Sequence, residues 1–95
     1  MRLDGRTRAV IREAAEKFFG VPVYLFGSRL DDTKKGGDID LYLEADLPPE
    51  DVVRREIGMV AYIWRRIGER KIDLVINTGR TQLPIHEVAK RGEVV

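Results

Sequence analysis

The run Asp38-Ile39-Asp40-Leu41-Tyr42-Leu43 follows Gly27-Ser28 after a gap of nine residues, and a third aspartate recurs inside Lys71-Ile72-Asp73-Leu74-Val75-Ile76. Side chains alternate faces along a strand, so Asp38 and Asp40 point to one side while Ile39 points to the other. Such a chain must build a sheet with one apolar face and one face carrying carboxylates. Carboxylates about 5 Å apart repel by roughly 3 kcal/mol per pair at an effective dielectric of about 20. A divalent cation removes that cost. Mg²⁺ takes a few carboxylate ligands together with phosphate oxygens, and a metal pair clamps both oxygens of an in-line phosphoryl displacement. Asp38, Asp40 and Asp73 are the candidate metal ligands, and Asp73 is also placed to help deprotonate an attacking hydroxyl.

Gly27-Ser28 follows the apolar run Val23-Tyr24-Leu25-Phe26, which places it where a strand gives way to a turn or short helix. Glycine lets the backbone approach a phosphate, the amides of such a turn are donors, and the Ser28 hydroxyl adds one more. Arg29 either reaches a phosphate or pairs with Asp31 or Asp32. Lys34 and Lys35 suit a triphosphate and suit a solvated loop tip equally.

The order strand, Gly27-Ser28, loop, Asp38-Ile39-Asp40-Leu41, helix and Ile72-Asp73-Leu74-Val75 resembles the nucleotidyltransferase superfamily that includes DNA polymerase beta. The short length is similar to its minimal nucleotidyltransferase (MNT) branch. The likeness runs from about Val21 to the segment Ile85 to Gly92, which is similar to the closing helix of those domains. Gly37 stands where many members carry a serine before the first aspartate. The resemblance implies a nucleotidyltransferase fold, Mg²⁺ as cofactor and ATP as substrate, with Gly27, Ser28 and Arg29 at the nucleotide and Asp38, Asp40 and Asp73 as catalytic metal ligands. It further implies an antitoxin of the MNT/HEPN type, which adenylylates a tyrosine of a HEPN ribonuclease toxin. The alternative is a non-catalytic module that neutralises such a partner by binding alone. An antibiotic adenylyltransferase fits less well, because no acceptor-binding domain is visible in the sequence.

The chain's 95 residues are enough for one domain, 1–95, with no room for a second lobe. The acceptor is then expected from another copy or another protein. Seventeen basic and sixteen acidic residues leave a net charge of +1, so no global field draws the chain to nucleic acid. There is no cysteine, no apolar stretch near the ~18 residues that span a bilayer, and no signal pattern, which together suggest a cytoplasmic location.

Periodicity predicts a helix from Gly5 to Phe19, with Leu3, Val10, Ile11, Ala14 and Phe18 on one face, Asp4 as its cap and Gly20 as its stop. Strands are expected at about Val21 to Phe26, Asp38 to Leu43 and Lys71 to Ile76. A long helix opens at Pro48-Pro49 and runs to Ile67, and a short one covers Pro84 to Lys90. The fold class is therefore α/β (α+β), a small mixed sheet of about three strands packed with helices. On the long helix, Val53, Ile57, Val60, Trp64 and Ile67 form the stripe expected to face the core. Val52, Met59 and Ile63 widen the apolar arc to about half the circumference, and this flank is either a second buried side or a partner surface. Gly58 either permits a close contact or has no role. His86 reads as a surface or capping residue, and Arg65, Arg66, Arg70 and Lys71 as a solvent-facing basic cluster.

Overall fold

The computed structural model describes residues 4–26, 39–79 and 92–95. Helix α1 spans Gly5–Phe18. The Asp4 carboxylate accepts from the Thr7 amide at 2.7 Å and caps its first turn. At the other end Gly20 takes φ +69°, and its amide returns to the Ala15 carbonyl at 2.8 Å. That left-handed turn suits glycine and ends the helix. Val10, Ile11, Ala14 and Ala15 are buried at helical spacing.

Strands β1 (Val23–Phe26), β2 (Ile39–Glu44) and β3 (Ile72–Asn77) are joined by β4 (Glu93–Val94) in one sheet of order β3-β2-β1-β4. β2 and β3 run parallel with α2 (Pro49–Ile67) between them, while β1 is antiparallel to both β2 and β4. Among the described residues the sheet thus has four strands where the sequence suggested about three. β4 is only two residues long and is held as a strand by pairing with Tyr24 and Leu25. The expected Pro84 to Lys90 helix, with His86 in it, and Leu3 lie outside the described residues.

The helices cover one face of the sheet. Leu25, Ile39, Leu41 and Leu43 are wholly buried against Ile11, Ala14, Met59 and Ile63, each large side chain contributing about 1.5–3 kcal/mol by leaving water. Alternation sends Asp40, Tyr42 and Glu44 to the opposite face. There Tyr42 packs with Phe26, Tyr24 and Val75 in a separate small cluster.

Helix α2 is turned the other way from the sequence expectation. Met59 and Ile63 are 0% exposed, whereas Val53, Ile57 and Trp64 are 55%, 65% and 37% exposed. The flank is core, and most of the expected core stripe faces outward. The reason is α1, which lies alongside and takes the Gly58 and Tyr62 side of α2. The Phe18 ring sits so close to Gly58 that a Cβ there would fall 2.5 Å from it, and Phe18 meets Tyr62 edge to face at 6.0 Å. With that side occupied, Met59 and Ile63 are the α2 side chains buried in the core with the sheet residues Leu25, Ile39, Leu41 and Leu43. Among the described residues no helix is long and apolar enough to cross a membrane.

Candidate active site

Asp40 on β2 and Asp73 on β3 are register partners across a parallel pair. Their neighbours Ile39, Leu41, Ile72 and Leu74 all pack into the helix-covered core, so both carboxylates project from the opposite face. Adjacent strands lie about 4.8 Å apart, which puts the two side chains next to each other. Asp40 is half-buried and Asp73 exposed. On the other side of β2, Asp40 is paired with Phe26. Phe26, Asp40 and Asp73 therefore make one row across three strands, and Gly27-Ser28 follows Phe26 directly in the chain. Gly27, Ser28, Arg29 and Asp38, with Lys34 and Lys35, lie outside the described residues.

One row further along, Tyr42 stands between Tyr24 and Val75. Its ring is 1% exposed and lies 6.0 Å from that of Tyr24. The Tyr42 hydroxyl donates to Glu44 Oε2 at 3.1 Å and accepts from Asn77 Nδ2 at 3.1 Å. Asn77 is itself buried, and its Oδ1 accepts from the Gly79 amide at 2.9 Å. This network stiffens the strand segment two residues beyond Asp40 and ties β2 to β3. Sequence reasoning passed over Tyr42, Glu44 and Asn77, although the same alternation that singled out Asp40 puts all three on its face.

The hard oxygen donors of Asp40 and Asp73 suit Mg²⁺ better than a softer ion. Among the described residues no group of three or more His, Cys, Asp or Glu side chains is gathered for a metal; the described part supplies two carboxylates in a shared row. The basic cluster is exposed as expected. Arg66 stacks on the Tyr62 ring at 3.5 Å, and the Trp64 indole donates to the Arg70 carbonyl at 2.8 Å.

The profile of the nucleotidyltransferase domain family matches residues 8–95. The chain belongs to that family, and the fold of the described residues, two helices on a four-stranded mixed sheet, is consistent with it. No curated protein matches the chain.

Proposed function

We propose that the chain transfers AMP from ATP to a hydroxyl of a partner protein, as the antitoxin of an MNT/HEPN pair. The observation that carries the transfer reading is the shared row of Asp40 and Asp73 on the face opposite α1 and α2, in a chain of the nucleotidyltransferase domain family. Asp38, Asp40 and Asp73 are the proposed metal ligands, and Gly27, Ser28 and Arg29 the proposed triphosphate contacts. Bound Mg²⁺ would neutralise the carboxylates and the phosphates and polarise the phosphorus under attack.

The chain's own part is positioning and proton transfer. The acceptor oxygen forms a bond to the α-phosphorus, the bond from that phosphorus to the bridging oxygen breaks, and pyrophosphate leaves. Asp73, the more exposed of the two described carboxylates, takes the hydroxyl proton. The backbone bonds Ile39 N–H to Lys71 carbonyl at 3.0 Å and Ala45 N–H to Asn77 carbonyl at 2.9 Å fasten β2 to β3 at both ends. They hold the two carboxylates in register whatever is bound between them.

Co-expression of the chain with its neighbouring HEPN-type protein, followed by intact-mass measurement of that protein with and without ATP and Mg²⁺, tests the reading. A mass gain of one AMP per modified hydroxyl is expected, dependent on both ATP and Mg²⁺. A tight complex with no mass gain would instead establish neutralisation by binding alone.

A further inference from the structure

We propose that an extended segment of a partner protein, with a basic residue between apolar ones on one of its faces, adds to the outer edge of β3 as a further strand and packs under the outward side of α2. Among the described residues β3 ends the sheet. Its pairing with β2 uses alternate backbone groups, since the Lys71 carbonyl accepts from Ile39 and the Asn77 carbonyl from Ala45. In a parallel ladder the N–H and C=O of one residue point to the same side. Lys71, Asp73, Val75 and Asn77 are therefore turned to β2, and Ile72, Leu74 and Ile76 present their backbone groups to the edge. Such a row of donors and acceptors is a template for strand addition.

Helix α2 overhangs that edge. α1 packs on β1 and α2 on β3, and the side of α2 that carries Gly58 and Tyr62 faces α1. At roughly 100° per residue, Val53, Ile57, Val60 and Trp64 lie about a third of a turn beyond Met59 and Ile63, on the side away from α1. The Trp64 indole donates to the Arg70 carbonyl at 2.8 Å, which seats the end of this stripe at the entry to β3. A groove of about 480 Å³ runs along it, lined by Glu56, Ile57, Val60, Ala61 and Trp64. Ile72, Leu74 and Ile76 turn their side chains to the helix-covered face and are only partly buried there. A strand added about 4.8 Å beyond β3 sends its side chains on that face into the groove.

Glu56 selects the occupant. It is half-buried in the groove, and its neighbours one helical turn away are Val52, Val53, Met59 and Val60. Among the described residues it makes no hydrogen bond or ion pair. A carboxylate partly withdrawn from water among aliphatic side chains calls for a cation. The edge of a second copy supplies none, because the helix-facing residues of its β3 are Ile72, Leu74 and Ile76. A segment with a lysine or arginine between two apolar residues supplies the charge, the apolar contact and the edge hydrogen bonds together. One added strand of about six residues buries less than about 1,200 Å², which makes the complex a weak one. On its other face, the residue opposite Asp73 extends the row of Phe26, Asp40 and Asp73, so a hydroxyl there stands beside the carboxylate proposed to take its proton. Only that consequence rests on the transfer reading.

The docking needs neither metal nor nucleotide, so it is measured in EDTA without ATP, apart from any transfer. The peptide acetyl-Thr-Val-Thr-Lys-Thr-Val-Thr-amide, titrated into the full chain and followed by the fluorescence of Trp64, the single tryptophan, should bind saturably with a Kd of about 10 to 500 µM. At saturation the amides of Ile72, Leu74 and Ile76 should exchange with solvent about tenfold more slowly or better, while that of Val75, already turned to β2, changes less. The same peptide N-methylated at both valines should bind about tenfold more weakly or worse, because its edge-facing donors are gone. Glutamate in place of the lysine should weaken binding to a similar degree, and Glu56→Lys in the chain should restore binding of that peptide. No saturation up to about 1 mM, equal binding of the N-methylated peptide, or unchanged exchange at Ile72, Leu74 and Ile76 overturns the strand addition. Binding indifferent to the charge exchange overturns the choice of a basic segment.

Discussion

The two faces of the central sheet are made by the same strands and obey opposite rules. On the face under the helices, Leu25, Ile39, Leu41 and Leu43 are sealed against Ile11, Met59 and Ile63. On the opposite face, one residue along the chain in each case, stand Asp40, Tyr42 and Glu44, with Asp73, Val75 and Asn77 beside them on β3. The covered face gains stability from each side chain it removes from water. The opposite face keeps two carboxylates adjacent, and their mutual repulsion is a cost that a cation between them would lower. A period of two is enough to separate stability from chemistry within a six-residue strand.

Neighbours on β2 test that division most strongly. Asp40→Asn, or Asp73→Asn on β3, should reduce nucleotide transfer by roughly 10³-fold or more, about 4 kcal/mol in the barrier, by removing a proposed metal ligand. In EDTA the same variants should melt at the wild-type temperature or slightly above. Asp40 is half-buried and Asp73 exposed, so solvent screening limits any relief of repulsion to about 1 kcal/mol or less. Leu41→Ala should behave in reverse, losing about 2–5 kcal/mol of stability to a cavity while the remaining folded protein keeps its specific activity. Denaturant melts run beside a transfer assay read both quantities. If Asp40→Asn lowered the melt and spared transfer, the carboxylate row would be structural and the contrast between the faces would fail.

A smaller effect sharpens the comparison by showing that the carboxylate-bearing face is not purely chemical. Tyr42→Phe keeps the ring but removes the hydroxyl that accepts from the buried Asn77 and donates to Glu44. A buried amide hydrogen left without an acceptor costs about 1–3 kcal/mol. The melt should fall by several degrees and transfer by less than about tenfold, since the carboxylates themselves are untouched. An unchanged melt would mean that the network contributes nothing to holding β2 on β3.

How far the sequence revealed this structure varied with how local the cause was. The cap at Asp4, the stop at Gly20, the opening of α2 at Pro48-Pro49 and the facing of Asp40 and Asp73 each follow from one residue or one strand period, and each could be read directly. The orientation of α2 could not. Its apolar arc covers about half the helix, and a wheel gives the width of an arc without saying which half a neighbouring helix will leave for the sheet. The contact of Phe18 with Gly58 decides that, and it joins residues 40 apart in the chain. β4 was hidden because Glu93 and Val94 show no alternation and are a strand only by virtue of β1. The Tyr42 to Asn77 bond, spanning 35 residues, needed the parallel register first. Of the candidate site, Asp40 and Asp73 are placed by the described strands, while Gly27, Ser28, Arg29 and Asp38 fall outside them.

The smallest expected effect concerns the layer that closes the covered face. Asp4 is exposed, and its carboxyl titrates below the ordinary value of 3.8 because the Thr7 amide, and then the Thr7 hydroxyl, donate to its charged form. A lowered value in the folded chain means that the unfolded chain takes up the proton first as the solution is acidified. The cap's contribution is therefore complete above the ordinary value and drains away as pH falls through the folded one. Asn at this position would cap without titrating. Thermal melts from about pH 6 to pH 2.5 should show Asp4→Asn close to wild type at the upper end and losing stability less steeply below about pH 4, where the carboxylate of the wild type is being protonated. The two acid limbs should therefore separate below about pH 4, with Asp4→Asn the more stable at the acid end. Parallel limbs over the whole range would mean that the charge on Asp4 contributes nothing to holding α1 over the sheet, and that the hydrophobic contacts of Val10, Ile11 and Ala14 hold that face closed without it.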